Sequence, residues 1–174
     1  MTDLRKRSFG TRVWIIADKY NIEQTQVHKI ISSYISICRE LLLSGNEVTF
    51  FNLVTMIPNP ICSDYKTTLA YQCKMISKSI NISYHTVYSI IKEYLSFLRD
   101  DLLVGKSVDI RGIVSLHPLL RDDKVVKVHS AISTSIKRDL ELQNRGVSSI
   151  RAHTHKLLKR SIKLSSGFGQ EVAT

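Results

Sequence analysis

Apolar residues recur every three or four positions in two long stretches of this chain. One runs through Val27, Ile30, Ile31, Tyr34, Ile35, Cys38, Leu41 and Leu42, the other through Val87, Ile90, Ile91, Tyr94, Leu95, Leu98 and Leu102. Over four turns this spacing gathers the apolar side chains into one stripe and predicts an amphipathic helix in each stretch. A shorter helical pattern precedes each: Val13, Ile16, Ala17 and Tyr20 before a break at Asn21, and Leu69, Cys73, Ile76 and Ile80 before Asn81. Ser83 suits the N-cap of the second long helix. Gly45 and Gly105 suit the left-handed residue that ends a helix. Past each glycine the period changes. Val48–Met56 and Val108–Leu116 are rich in β-branched and apolar residues and predict two short strands joined by a turn near Asn52 or Gly112.

The two patterns are one pattern repeated at a constant offset. Asn21-Ile22 lies over Asn81-Ile82, Val27 over Val87, Tyr34 over Tyr94, Arg39 over Arg99, Gly45 over Gly105 and Pro58 over Pro118. About 15 of 47 aligned positions are identical, against about three by chance. Two amphipathic helices could share Ile and Leu by accident, but not a Gly and a Pro at the same distance downstream. The second copy continues further. After the charged turn Arg121–Lys124, Val125–Val128 alternates as a strand and Ser133–Gln143 reads as a helix. The first copy is followed only by a short Pro-containing linker, which leaves it without a third strand and final helix.

The order helix, helix, glycine turn, strand, strand, strand, helix resembles the HU/IHF family of bacterial DNA-bending proteins. Ser83–Leu103 is similar to that family's long dimerisation helix. Gly105-Lys106-Ser107-Val108 resembles its turn into the sheet, and Arg111–Leu116 its glycine-containing strand pair. The resemblance implies an α+β fold of tandem HU/IHF-like repeats, intertwined within one chain as a single-chain pseudodimer. The expected divisions are a basic arm at 1–10, an incomplete first repeat at 11–58, a linker at 59–66, a second repeat at 67–143 and a basic tail at 144–174. Family members bend DNA with long β-arms tipped by a proline wedge. Here Leu116 to Val125 spans a hairpin turn and no such arm. A rival reading takes Ser77–Tyr88 as a helix-turn-helix with Thr86, Tyr88 and Ser89 as base readers; it leaves the strands without explanation.

Charge narrows the function. Lys and Arg number 25 against 15 Asp and Glu, a net charge of +10 and a pI near 9.7, which favours anionic partners, nucleic acid first. Apolar runs are far shorter than a membrane span and no signal-type apolar region follows the basic start, so neither a membrane nor a secreted protein is expected. Bacterial cytoplasm or a phage virion is the expected setting. Cys38, Cys62 and Cys73 are odd in number with no CxxC spacing, and the expectation is buried, reduced thiols. His153 and His155 lack a third ligand at metal spacing. Asp100-Asp101 and Asp122-Asp123 read as solvated charge, Trp14 as packing, and Tyr34 and Tyr94 as core or partner-facing aromatics. No nucleophile–base pair stands out. The expectation is a non-enzyme with no cofactor, no metal and no small-molecule substrate.

Two functions fit. In one, the module serves subunit assembly as a structural part, such as a ring or neck component of a phage virion lying close to DNA, with other protein subunits as partners. The first copy's uncovered edge would then present Phe50, Phe51, Leu53 and Met56 to a neighbour. In the other, the chain binds double-stranded DNA through basic flanks: Arg5, Lys6 and Arg7, with Arg12 on the same arm, and Arg151, Lys156, Lys159, Arg160 and Lys163. The tail's Ile150, Leu157, Ser161 and Leu164 fall on one face of a possible helix.

Overall fold

The computed structural model describes residues 8–62 and 66–155, a mixed α+β arrangement of five helices and two small sheets. Helix α1 (Phe9–Tyr20) leads into α2 (Gln24–Leu43), β1 (Glu47–Phe50) and β2 (Val54–Asn59); β3 (Lys66–Thr67) follows. Then come α3 (Leu69–Ile80), α4 (Tyr84–Leu103), β4 (Val108–Ile110), β5 (Val114–Arg121), β6 (Lys124–Ile132), α5 (Thr134–Gln143) and β7 (Ser149–Thr154). The helices of the second copy begin and end where the repeat requires: Leu69 and Ile80 lie over Phe9 and Tyr20, and Tyr84 and Leu103 over Gln24 and Leu43.

Local chemistry sets these boundaries. Ser8, Thr68, Ser83 and Ser133 each accept a hydrogen bond from a first-turn backbone N–H with their side chain. At the other end, Gly45 (φ +84°) and Gly105 (φ +89°) take the left-handed conformation. The following N–H groups of Asn46 and Lys106 then reach back to the carbonyls of Leu41 and Asp101, at 2.9 and 2.8 Å. Asn52 and Gly112 supply the positive φ of the two strand turns.

The helices of the two halves share one core. α1 packs on α2 and on α4, α3 packs on α4 and on α2, and the two long helices cross each other. Tyr34 and Tyr94 are fully buried, Tyr34 edge-on to Phe50 and Tyr94 edge-on to Phe9. Cys38 and Cys73 are buried in the same core, and burial pushes the Cys73 thiol up to about 11 and Tyr94 up to about 12. Cys62 is exposed, contrary to the expectation for all three thiols. Trp14 is also exposed rather than packed.

The sheets correct the sequence reading. One has the order β4-β5-β6, as the second repeat predicts. The other has the order β3-β1-β2-β7. Its fourth member comes from the segment read as a helix-forming tail, and β7 pairs antiparallel along all of β2, from Val54 opposite Thr154 to Asn59 opposite Ser149. The alternation of buried Ile150 and half-buried Ala152 with exposed Ser149, Arg151 and His153 is that of a strand. The first unit therefore has its third strand. Phe50, Leu53 and Met56 are fully buried in the core rather than offered at an edge; Phe51 alone of the four is exposed. The helix-turn-helix reading fails on burial. α4 is a long core helix whose Val87, Ile90, Ile91 and Tyr94 are buried.

Candidate nucleic-acid interface

Strands β6 and β7 are each the last strand paired to a β-hairpin, and they lie against one another where the two sheets meet. In β5 and β6, Val114, Leu116, Val125 and Val128 turn toward the core. The alternate residues face out: His117 opposite His129, Leu119 opposite Lys127 and Arg121 opposite Lys124. In β2 and β7 the outward row sets His153 against Thr55 and Arg151 against Ile57. The outer surface of the paired sheets thus carries Arg121, Lys124, Lys127 and Arg151 with three histidines among them. Asp122 and Asp123, both with positive φ, form the hairpin tip.

This surface differs from the one expected. Arg151 alone of the eight phosphate-contact candidates falls within the described residues, where it is exposed. Arg5, Lys6, Arg7, Lys156, Lys159, Arg160 and Lys163 lie outside them. Arg12, read as part of a basic arm, is buried in α1, and its Nη2 donates to Asp101 Oδ2 of α4 at 3.0 Å. Asp101 is accordingly not a solvated helix-end charge. Arg39 is likewise engaged: it donates to the Gly112 carbonyl and to Ser135 Oγ, at 2.6 and 3.0 Å, and pairs with Asp139 of α5. Arg145 pairs with Glu40. Lys127, His117 and His129 fall in no run of charge, so clustering of basic residues along the sequence does not mark them. Their signal is period-two alternation on strands, Lys127 and His129 on either side of buried Val128.

A groove of about 410 Å³ opens between α4 and the β1–β2 turn. Tyr20, Phe51, Asn52, Lys92, Glu93 and Arg99 line it. The Glu93 carboxylate accepts from Lys19 Nζ at 2.8 Å and, more weakly, from the Tyr20 hydroxyl at 3.4 Å. The bond to Glu93 raises the Lys19 pKa, and burial raises that of Tyr20. Among the described residues no cluster of three His, Cys, Asp or Glu side chains could hold a metal ion, and no helix is long and apolar enough to cross a membrane. Comparison with known protein families, curated proteins and solved structures finds no match.

Proposed function

We propose that this chain is a non-enzymatic, DNA-binding architectural protein. In this reading two HU/IHF-like units in one polypeptide form a pseudodimer that lays the outer faces of its two sheets on double-stranded DNA. The observation that carries it is the meeting of β6 and β7, which sets Arg121, Lys124, Lys127 and Arg151 on the outward side of adjoining strands. Cations so spaced neutralise phosphates and release counterions without reading bases. Helices shared between the halves support the pseudodimer. Pro118 sits mid-strand opposite Val128, and the hairpin tip is acidic. This supports coating or wrapping rather than bending by a proline wedge.

Binding of a duplex of about 30 base pairs tests the reading. The expected result is a complex whose affinity falls steeply with salt. The full-length K127Q/R151Q variant should bind about tenfold more weakly, with a salt slope lower by about two. A chain that leaves the duplex unshifted at low salt, or binds it with no salt dependence, overturns the proposal.

A second reading has its own observation. Leu119, Leu120 and Val126 at the hairpin end are about half exposed, and Leu120 packs over Gly105, next to exposed Val104. An apolar end of this kind suits subunit assembly. A large discrete oligomer in light scattering, dispersed by L119K/V126K, would favour it.

A further inference from the structure

The groove beside α4 carries chemistry that the repeat does not require. Phe51, Tyr88 and Lys92 line it, and the other copy has Arg111, His28 and Ser32 at the equivalent positions. In that other half the protein supplies a ring of its own. Phe9 meets His28 edge-on with ring centroids 5.3 Å apart, and the Arg111 guanidinium lies 4.7 Å from the Phe9 centroid. The second copy has Leu69 in the place of Phe9, which brings no ring to Tyr88 and Phe51.

A cation beside two aromatic rings is left facing the groove. Lys92 Nζ lies 6.0 Å from the Phe51 centroid and 5.9 Å from the Tyr88 centroid, and among the described residues it makes no ion pair. Glu93, the one carboxylate of the lining, already accepts from Lys19 and Tyr20. The groove therefore favours an anion. A cation–ring contact at an exposed site is weak, and a charge-assisted hydrogen bond to a phosphate oxygen outweighs it. Phe51 is 39% exposed and offers a stacking face that any nucleobase can use. The Asn52 amide and the Ser89 and Ser96 hydroxyls in the lining can bond to a base edge or a sugar. The volume of about 410 Å³ falls within the roughly 300–1,000 Å³ of small-molecule sites. A carboxylate alone would answer the charge and leave the ring unused.

We propose that this groove binds one nucleotide unit, with its base stacked on Phe51 beside Tyr88 and its phosphate held by Lys92. The unit is a free nucleotide or an unpaired nucleotide of a DNA strand. The inference rests on the groove and not on the cations of β6 and β7.

Titration of the full-length chain with deoxyadenosine monophosphate, followed by nuclear magnetic resonance of the Phe51 and Tyr88 rings and the Lys92 ammonium, tests it. The shifts should saturate and stay confined to the groove. K92Q should weaken nucleotide binding about tenfold and leave binding of deoxyadenosine, which has no phosphate, unchanged. K92R, which keeps the charge, should retain most of the affinity. F51A should weaken both ligands about tenfold. Far-ultraviolet circular dichroism checks that each variant is folded, as expected for exposed side chains. Saturation by the mononucleotide assigns a free nucleotide; saturation only by a short single strand of deoxyadenosine assigns a nucleotide within a strand. Groove signals that neither probe moves overturn the proposal, and so does an F51A chain that binds as tightly as the native one. Equal shifts with inorganic phosphate overturn the base site. Saturation by a glutamate peptide and by neither nucleotide probe overturns the proposal in favour of an acidic protein segment.

Discussion

Replacing Asp101 by alanine should be among the most damaging single changes available to this fold. Arg12 and Asp101 are each almost fully buried, and their closest atoms lie 3.0 Å apart. At an effective dielectric constant of about 20, two unit charges at that distance attract by about 5.5 kcal/mol. Much of this offsets the desolvation of both groups, so the pair as a whole contributes little. Removing only the carboxylate is different. The guanidinium, whose Nε already finds no partner among the described residues, would stay buried opposite an alanine. That costs about 3–5 kcal/mol. With a urea m-value of about 2 kcal/mol/M, the unfolding midpoint of D101A should fall by about 1.5–2.5 M. R12M/D101L should return to within about 1.5 kcal/mol of the native chain, since neither charge then needs solvation. The first copy already holds an apolar residue, Leu41, at the equivalent position. Urea unfolding followed by far-ultraviolet circular dichroism measures both. A D101A loss below about 1 kcal/mol, or a double variant as unstable as the single, would refute the account.

Alkali should unfold the protein through its core. Burial pushes Tyr94 up to about 12 and Cys73 up to about 11, above their ordinary 10.0 and 9.0, and shifts Tyr34 and Cys38 in the same direction. Above about pH 9 the unfolded chain loses these protons first. Stability should therefore be level below about pH 8 and then fall by up to about 1.4 kcal/mol per pH unit for each group. A urea midpoint constant to about pH 11 contradicts this. Glycine substitutions should separate the two turns. A Cβ on Gly45 would meet the Cβ of Cys62 at 2.5 Å and its backbone nitrogen at 2.9 Å, whereas on Gly105 it meets only the flexible Leu120 at 3.1 Å. Both alanines carry the positive-φ cost of about 1–2 kcal/mol. G45A should lose clearly more stability than G105A in thermal unfolding, and equal losses would show that Cys62 gives way freely. Truncation of β7 should leave the backbone edge of β2 unpaired and produce a concentration-dependent dimer or aggregate in light scattering; a stable monomer would count against β7 as the edge cover.

What the sequence determined by itself was everything that depends on neighbours close along the chain. Stripes at three- and four-residue spacing marked the four main helices, the Ser83 cap, the breaks at Asn21 and Asn81 and the glycines Gly45 and Gly105 marked ends, and the constant offset of the repeat reappears in their boundaries. Each of those signals is written in one helical turn or one tight turn. Tertiary structure alone decided which distant segments meet. Ile150-Arg151-Ala152-His153 is too short to choose between strand and helix until β2 offers it a ladder of hydrogen bonds. That pairing joins residues 90 to 100 positions apart along the chain, and it covers the edge of β2 that the first hairpin would otherwise leave open. In the same way Arg12 and Asp101, each ordinary on its own helix, become a buried pair only because α1 packs across α4. The outward row of cations exists only once β6 and β7 are side by side. Local spacing sets which face of an element is apolar; only the packing of remote elements sets which charges are buried, which edges are closed and which surface is left for a partner.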